Sequence, residues 1–195
     1  MWQIRPDLAS NADRLRWNAR YGGEFVPGFS AHPLAQRALS LHLPAGPVLE
    51  LACGPSGSAL LAAAAGRPVT AVDASDVALE LLSAEAGRRG LAGLLTPVHA
   101  DLGDWRPDRD YALVLCTGFW DAAVFATAQA AVADGGLIGW EALTEAARQR
   151  RPSLPARWCV GPGQPASLLA SGFDLLDQHD VRETRRQLLA RRVTS

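Results

Sequence analysis

Apolar and polar segments alternate along the chain in a pattern that predicts an α/β fold. Short apolar runs indicate buried strands, and segments with helical spacing or helix caps separate them. Regular alternation with short links is typical of a parallel sheet. We therefore predict a doubly wound, mostly parallel, seven-stranded sheet with helices on both faces and an antiparallel C-terminal strand. The predicted strands are 48–52, 68–72, 94–100, 110–116, 137–141, 172–176 and 184–193.

The stretch from Val48 to Asp73 is the most informative part of the pattern. Its first strand ends in small residues, 53–57, and a helix over about 58–65 follows, with Gly66 at a C-cap position. The second strand ends on Asp73. Such a unit binds a nucleoside-type cofactor, because small residues let the backbone approach the ligand and the acid accepts hydrogen bonds from ribose hydroxyls.

The residue sequence of this turn resembles a motif of a known family. Residues 50–55, Glu-Leu-Ala-Cys-Gly-Pro, resemble motif I of the class I methyltransferases that use S-adenosylmethionine (SAM). The usual form is an acid, an apolar residue and then Gly-Cys-Gly-x-Gly. This chain has Ala52 and Ser56 in place of two glycines, although Gly57 follows at once. We expect Ala52 to be a mild change if its φ is negative, and Ser56 to shift the turn by one residue.

The resemblance implies a set of cofactor-binding residues. In the family, the residue after the second strand's acid lies against the adenosine, and an acid after the third strand bonds the adenine amino group. An N-cap role is the alternative for that acid, Asp101. The implied cofactor is SAM, with S-adenosylhomocysteine (SAH) as product. The implied binding residues are Tyr21, Glu50, Ala52, Cys53, Gly54, Asp73, Ala74, Asp101, Leu102, Cys116 and Thr117.

Residues 1–46 precede the first strand and are expected to form a helical lid. Asp7 and Ser10 are candidate N-caps for a helix reaching Tyr21, and Pro33 opens a second helix. Residues 17–21, Trp-Asn-Ala-Arg-Tyr, resemble the W-x-x-R-[YW] stretch at the start of several small methyltransferase families, where this segment covers the cofactor pocket. The alternative is that Trp17 and Tyr21, four residues apart, simply pack on the core.

The acceptor is expected where the fourth and fifth strands end. The fourth strand is followed by residues 117–121, Thr-Gly-Phe-Trp-Asp, at motif IV of the family. Aromatic walls suit a sulfonium and an apolar acceptor. No histidine ends this strand, so we assign no catalytic base. The alternatives are that Phe119 and Trp120 fill the core and that Glu141 is a strand-end surface residue. The candidate substrate-binding residues are Tyr21, Phe119, Trp120 and Glu141.

The C-terminal part is predicted to begin with an irregular substrate-side loop over 145–165, which is rich in arginine and proline. Together with the terminal strands it forms the last section, 143–195, of a single domain whose cofactor-binding core is 47–142. The arginines of residues 182–192 are expected to be a solvated sheet edge.

Composition excludes several classes of partner. The chain has 195 residues, enough for one well-packed domain, and a net charge of −1, which does not favour nucleic acid. Three scattered cysteines indicate reduced, buried thiols rather than a disulfide framework or a metal site, and a cytoplasmic protein. No apolar run is long enough for a membrane helix, and the N-terminus, with Arg5 and Asp7, is not a signal peptide. We expect a monomer or homodimer.

Three functions are compared. The favoured one is a SAM-dependent methyltransferase for a small-molecule acceptor, weakly similar to the tellurite-resistance and thiol methyltransferases. The second is a SAM-binding protein without catalysis, suggested by the replaced glycines. The third is a nicotinamide-dependent oxidoreductase, which would need G-x-G-x-x-G and usually a Tyr/Lys pair, whereas this chain has no lysine.

Overall fold

The structure is a computed structural model that describes residues 6–194. Arg5, used above against a signal peptide, lies outside the described residues. The helices are α1 (Ala12–Tyr21), α2 (Pro33–Ser40), α3 (Gly57–Ala64), α4 (Asp76–Arg88), α5 (Ala122–Ala130) and α6 (Glu145–Arg150). The strands are β1 (Val48–Leu51), β2 (Val69–Asp73), β3 (Leu95–His99), β4 (Tyr111–Thr117), β5 (Val132–Thr144), β6 (Cys159–Val160), β7 (Phe173–Val181) and β8 (Arg185–Arg192).

The described chain divides into two compact units. One comprises the residues up to His32 together with 47–106, and the other comprises 33–46 and 107–194. We expected a single domain with sections at 1–46, 47–142 and 143–195, and that division stays a prediction.

The first unit contains three parallel strands. β2 pairs with β1 on one side and with β3 on the other, so that Val48 lies opposite Val69 and Asp73 lies opposite His99. All four residues of β1 are buried, including Glu50. A run that is buried on both faces is typical of a parallel strand. The three strands therefore end at one edge, where the chain leaves each of them.

Polar caps begin the helices of this unit. Asn11 accepts a hydrogen bond from the Arg14 N–H at the start of α1, Ser56 accepts from the first turn of α3, and Ser75 accepts from the Ala78 N–H of α4. Such caps satisfy N–H groups that have no partner inside the helix. The cap of α1 is Asn11 and not the predicted Asp7 or Ser10.

The second unit contains the remaining strands. β4 and β6 pair with β5 in parallel, and β8 runs antiparallel to both β5 and β7. The core beside β5 includes three aromatic rings, those of Trp120, Phe125 and Trp140, with centroids 5.1–6.3 Å apart. Edge-on ring pairs of this kind add stability beyond the area that they bury.

The predicted fold class is confirmed: the strands are mostly parallel, and the C-terminal strand β8 is antiparallel. Seven longer strands appear as predicted, and the two-residue β6 is an addition. The prediction of an irregular loop over 145–165 was wrong, because this segment contains α6 and β6. Its arginines lie partly on α6, where Arg148 pairs with Glu145 one turn earlier. No helix in residues 6–194 is long and apolar enough to cross a membrane.

Gly57 and Gly87 offer a matched test of packing in the first unit. A Cβ on Gly57 would lie 2.3 Å from the Phe29 carbonyl oxygen, whereas a Cβ on Gly87 in α4 would meet nothing within 4 Å. We expect Gly87→Ala to raise the free energy of unfolding by about 0.5–1 kcal/mol through helix propensity. Gly57→Ala should lower it by about 1–3 kcal/mol, because the 29–30 backbone must move. Urea unfolding measures both, and equal stabilisation would contradict this packing.

Candidate cofactor site

The turn after β1 is held by the acid that ends β2. The Gly54 N–H donates to Asp73 Oδ2 at 2.7 Å, and the Ser75 N–H donates to Asp73 Oδ1 at 2.8 Å. Gly54 has a φ of 56°, so its N–H turns toward the acid in a conformation that favours glycine. The two strand ends predicted to hold the cofactor are thus joined through one carboxylate.

Asp73 is a buried carboxylate with unused acceptor capacity. Burial raises its pKa to about 6, although hydrogen bonds from Ser75 and Gly54 act in the opposite direction. The Ala74 backbone also contributes a hydrogen bond that lowers this pKa. Because two carboxylate oxygens offer four lone-pair positions, acceptor capacity for a ligand hydroxyl remains.

Ala52 departs from what we expected of the turn. Its φ is +48°, so the condition under which we expected a mild change is not met. The chain needs this conformation to turn directly from β1, where the Cys53 N–H still bonds the Val72 carbonyl at 3.1 Å. A left-handed residue with a Cβ costs about 1–2 kcal/mol. The replacement of glycine at this position therefore stores strain beside the site.

Ser56 has a structural role that explains its presence in the motif. Its hydroxyl lies 2.8 Å from both carboxylate oxygens of Glu50, and its oxygen accepts from the Ser58 and Ala59 N–H groups. The hydroxyl thus links the buried acid of β1 to the beginning of α3. Burial raises the pKa of Glu50 to about 7, despite the hydrogen bond from Ser56.

Tyr21 lies over the same turn. A Cβ on Gly54 would be 3.0 Å from the Tyr21 hydroxyl oxygen, which is a tight contact, and the positive φ of this residue also favours glycine. Burial, followed by the negative charge of Asp73, raises the pKa of Tyr21 to about 12. The Tyr21 ring stacks on Trp17 and meets Phe25 edge-on. The two residues pack mainly on each other and on Phe25, and the lid over a cofactor stays a prediction.

Helix α1 follows the edge of the sheet toward β3. The Asn11 amide donates to Asp101 Oδ2 at 2.7 Å, and the Gly103 N–H donates to Oδ1 at 2.8 Å. Asp101 therefore caps its own turn, which is the N-cap alternative stated for it. It also accepts a hydrogen bond from Asn11, the N-cap residue of α1. The adjacent Leu102 is buried.

A buried ionic network fixes the middle of α1. Arg14 donates to both carboxylate oxygens of Asp76, at 2.7 and 3.2 Å, and the Asn18 amide donates to Asp76 Oδ1 at 2.7 Å. Although burial raises the pKa of Asp76, these hydrogen bonds hold it below the usual value. His99 lies next to this network, and its Nε2 is 3.0 Å from the Ala74 carbonyl oxygen.

Sequence reasoning did not assign functional roles to these network residues. The signal that could have found them is spacing: Asn11, Arg14, Asn18 and Tyr21 follow an i, i+3, i+7, i+10 pattern, which places them on one face of a helix. Most side chains on this face are polar, so in the sequence it resembles a solvent-exposed helix face.

The residues predicted for the acceptor lie in the second unit, except Tyr21. Trp120 is buried among Phe125 and Trp140, and Phe119 is partly exposed while its carbonyl accepts from the Trp140 indole at 2.9 Å. Cys116 is buried at the end of β4 and Thr117 is half-buried beside it. The packing of Trp120 among aromatic rings corresponds to the alternative that this residue fills the core.

Glu141 is not a strand-end surface residue. It lies within β5 with its side chain 3% exposed, between Arg185 and Gln187, each of which donates to its carboxylate at 2.8 Å. Both partners come from β8, so the antiparallel strand satisfies a buried charge of its neighbour. Across residues 6–194, no group of three or more His, Cys, Asp or Glu side chains could hold a metal ion.

Comparisons with known proteins concern the domain and the fold. Residues 48–136 match the family model described as a methyltransferase domain. No curated protein has a matching sequence. The DhpI-SAM-HEP complex is similar at 27% identity and a TM-score of 0.58, over 91% of this chain and 93% of that one.

Two further solved structures share the fold at lower identity. The glycopeptide N-methyltransferase MtfA with sinefungin has 20% identity and a TM-score of 0.62, over 89% of each chain. The [4+2]-cyclase SpnF has 16% identity and a TM-score of 0.65, over 83% of this chain and 79% of that one. These two similarities concern the fold, and a fold does not fix a reaction.

The fold is thus Rossmann-like. Residues 48–136 are matched as a methyltransferase domain, and the chain is similar in fold to SAM-dependent methyltransferases.

The buried acid of β1 gives a pH prediction. The pKa of Glu50 is about 7 in the folded protein against an ordinary 4.5, so its contribution to stability is full below about 4.5 and is lost as the pH rises through 7. Glu50→Gln, without added ligand, should raise the free energy of unfolding by about 1–3 kcal/mol at pH 8 and by little at pH 5.

Urea unfolding at the two pH values measures this difference. Exposed Glu24 supplies the control, since Glu24→Gln should give no pH-dependent gain. A Glu50→Gln variant that is equally destabilised at both pH values would show that the charged form is favoured in the fold.

Proposed function

We propose that the protein transfers the methyl group of SAM to a small-molecule acceptor. The observation that carries this proposal is the turn of Gly54 on buried Asp73, with the Tyr21 hydroxyl above it. A glycine turn at positive φ, next to a desolvated acid with acceptor capacity left, fits a ribose and the chain attached to it.

The remaining cofactor contacts follow from the strand ends. Asp73 would accept from the ribose hydroxyls, Ala74 would lie against the adenosine, and Asp101 with Leu102 would hold the adenine. Glu50 would act through Ser56 and the start of α3, because its carboxylate is buried and already bonded there. The proposed contacts at the turn itself are Ala52, Cys53, Gly54 and Tyr21, whereas Cys116 and Thr117 on β4 stay predictions from the family resemblance.

When bound, SAM supplies an electrophilic methyl carbon on a sulfonium group. The chain's contribution is to bind, to orient and to exclude water. Tyr21 is held protonated, because its pKa is about 12, and its hydroxyl is therefore a hydrogen-bond donor throughout the neutral range. Both Glu141 oxygens are occupied by Arg185 and Gln187, so we assign this acid a fixed charge rather than a base.

A small-molecule acceptor is supported by charge and by side-chain chemistry. The net charge of −1 provides no excess positive charge for a polyanion. Phe119 is the best-placed aromatic for an acceptor wall within its unit, because its ring is partly exposed while its backbone carbonyl is anchored by Trp140. Trp120 would support Phe119 from the core, and Glu141 stays a proposed acceptor-side residue.

Ligand binding tests the cofactor assignment. Calorimetry should show binding of SAM and SAH and much weaker binding of NADH. Asp73→Asn, which keeps one acceptor oxygen, should weaken SAM binding by roughly tenfold, because a lost bond to a buried group costs about 1–3 kcal/mol. Asp73→Ala would also release two backbone N–H groups, so the fold is expected to suffer in that variant. Equal affinity for NADH, or normal SAM binding by Asp73→Asn, would contradict the assignment.

The aromatic pair tests the acceptor side. Trp120→Ala should lose about 3–5 kcal/mol of stability, because it empties a place among Phe125 and Trp140. Phe119→Ala should change stability by less than about 1 kcal/mol, since its carbonyl bond remains, and should lower turnover at least tenfold.

Turnover is measured as SAH release with a panel of thiols, amines and phenols, using the acceptor with the highest wild-type rate. Full activity in Phe119→Ala would remove this residue from the acceptor wall. SAM binding with no SAH release above the acceptor-free blank for any compound would favour the non-catalytic binding protein.

A further inference from the structure

Helix α1 crosses the edge of the first unit and contacts the end of each strand in turn. Asn11 reaches Asp101 after β3, Asn18 reaches Asp76 and Ser75 after β2, and Tyr21 reaches Gly54 after β1. Ten residues of helix rise about 15 Å, which spans the roughly 10 Å between β3 and β1. The contacts therefore lie along one side of one rigid element.

Asn18 lies on this face of α1, and its amide both donates and accepts a hydrogen bond. Its Nδ2 donates to Asp76 Oδ1 at 2.7 Å, and its Oδ1 accepts from the Ser75 hydroxyl at 2.7 Å. Because one end must donate to a carboxylate and the other must accept from a hydroxyl, the amide has a single satisfactory orientation. The structure thus specifies Asn at this position.

Ser75 passes this contact on to the cofactor acid. Its hydroxyl oxygen accepts from the Ala78 N–H at 3.1 Å, and its own N–H donates to Asp73 Oδ1 at 2.8 Å. Asp73 in turn receives the Gly54 N–H, over which Tyr21 lies. A closed circuit therefore runs from α1 through Ser75, Asp73 and Gly54, and back to α1.

We propose that Asn18 is a positioning residue that couples α1 to the orientation of Asp73 through Ser75. This inference rests on the function proposed above. Without the amide, Arg14 would still pair with Asp76 and keep the helix attached, but Ser75 would lose its acceptor. The positions of the Asp73 carboxylate and of the Tyr21 phenol would then no longer be fixed by the same contact.

A double-mutant cycle in SAM affinity tests the coupling. By calorimetry, Asn18→Ala should weaken SAM binding about tenfold in the wild-type background and no more than about twofold in the Asp73→Asn background. Leu15→Ala on the same helix, where the side chain is 52% exposed, is the control and should leave affinity unchanged. Thermal unfolding without ligand should show Asn18→Ala folded, because alanine favours the helix.

Ser75→Ala breaks the same bond from the other side and takes the place of Asn18→Ala in the cycle if that variant fails to fold. It should weaken SAM binding about tenfold in the wild-type background and no more than about twofold in the Asp73→Asn background. Equal losses for Asn18→Ala in both backgrounds, or no loss at all, would overturn the proposal. Absence of SAM binding by the wild-type protein would instead refute the proposed function, so the two failures are distinguishable.

Discussion

The charge of Asp76 is the constraint on which the first unit depends. A buried carboxylate is costly unless it is paired and hydrogen-bonded. Asp76 obtains both from α1, through the guanidinium of Arg14 and the amide of Asn18. Because these donors lie on one helix face, satisfying the charge also fixes where α1 lies. The position of Tyr21 over the motif turn is a consequence of that attachment.

The turn between β1 and α3 shows how a departure from the family pattern is accommodated. Ser56 replaces a glycine and gains two functions, capping α3 and bonding Glu50. Ala52 has a positive φ, which a residue with a Cβ adopts at a cost. The turn therefore combines one favourable exchange with one strained residue, and glycine is retained at Gly54, where φ is positive and Tyr21 lies close.

Much of the fold was predictable because its signals are local. The apolar runs predicted β1 to β4 within one or two residues. The segment 145–165 was predicted wrongly, since its prolines and arginines obscured the short α6.

The site was predictable only where a motif states it. Asp73 and Gly54 came from the spelling of one turn, and the structure joins them by a hydrogen bond. Asp76 and Arg14 were assigned no role from the sequence. Their pairing spans 62 positions in the chain, and single-sequence reasoning has no means of matching two charges at that separation. The same applies to Glu141 and Arg185, which meet across two antiparallel strands.

The central claim is that the edge of the first unit, closed by α1, is the SAM site. A crystal structure of the protein with SAH tests it most directly. We expect both ribose hydroxyls within hydrogen-bond distance of Asp73, the adenine beside Asp101 and Leu102, and the Asn18 contacts intact. A structure with SAH bound elsewhere, or with the ribose away from Asp73, would contradict the account.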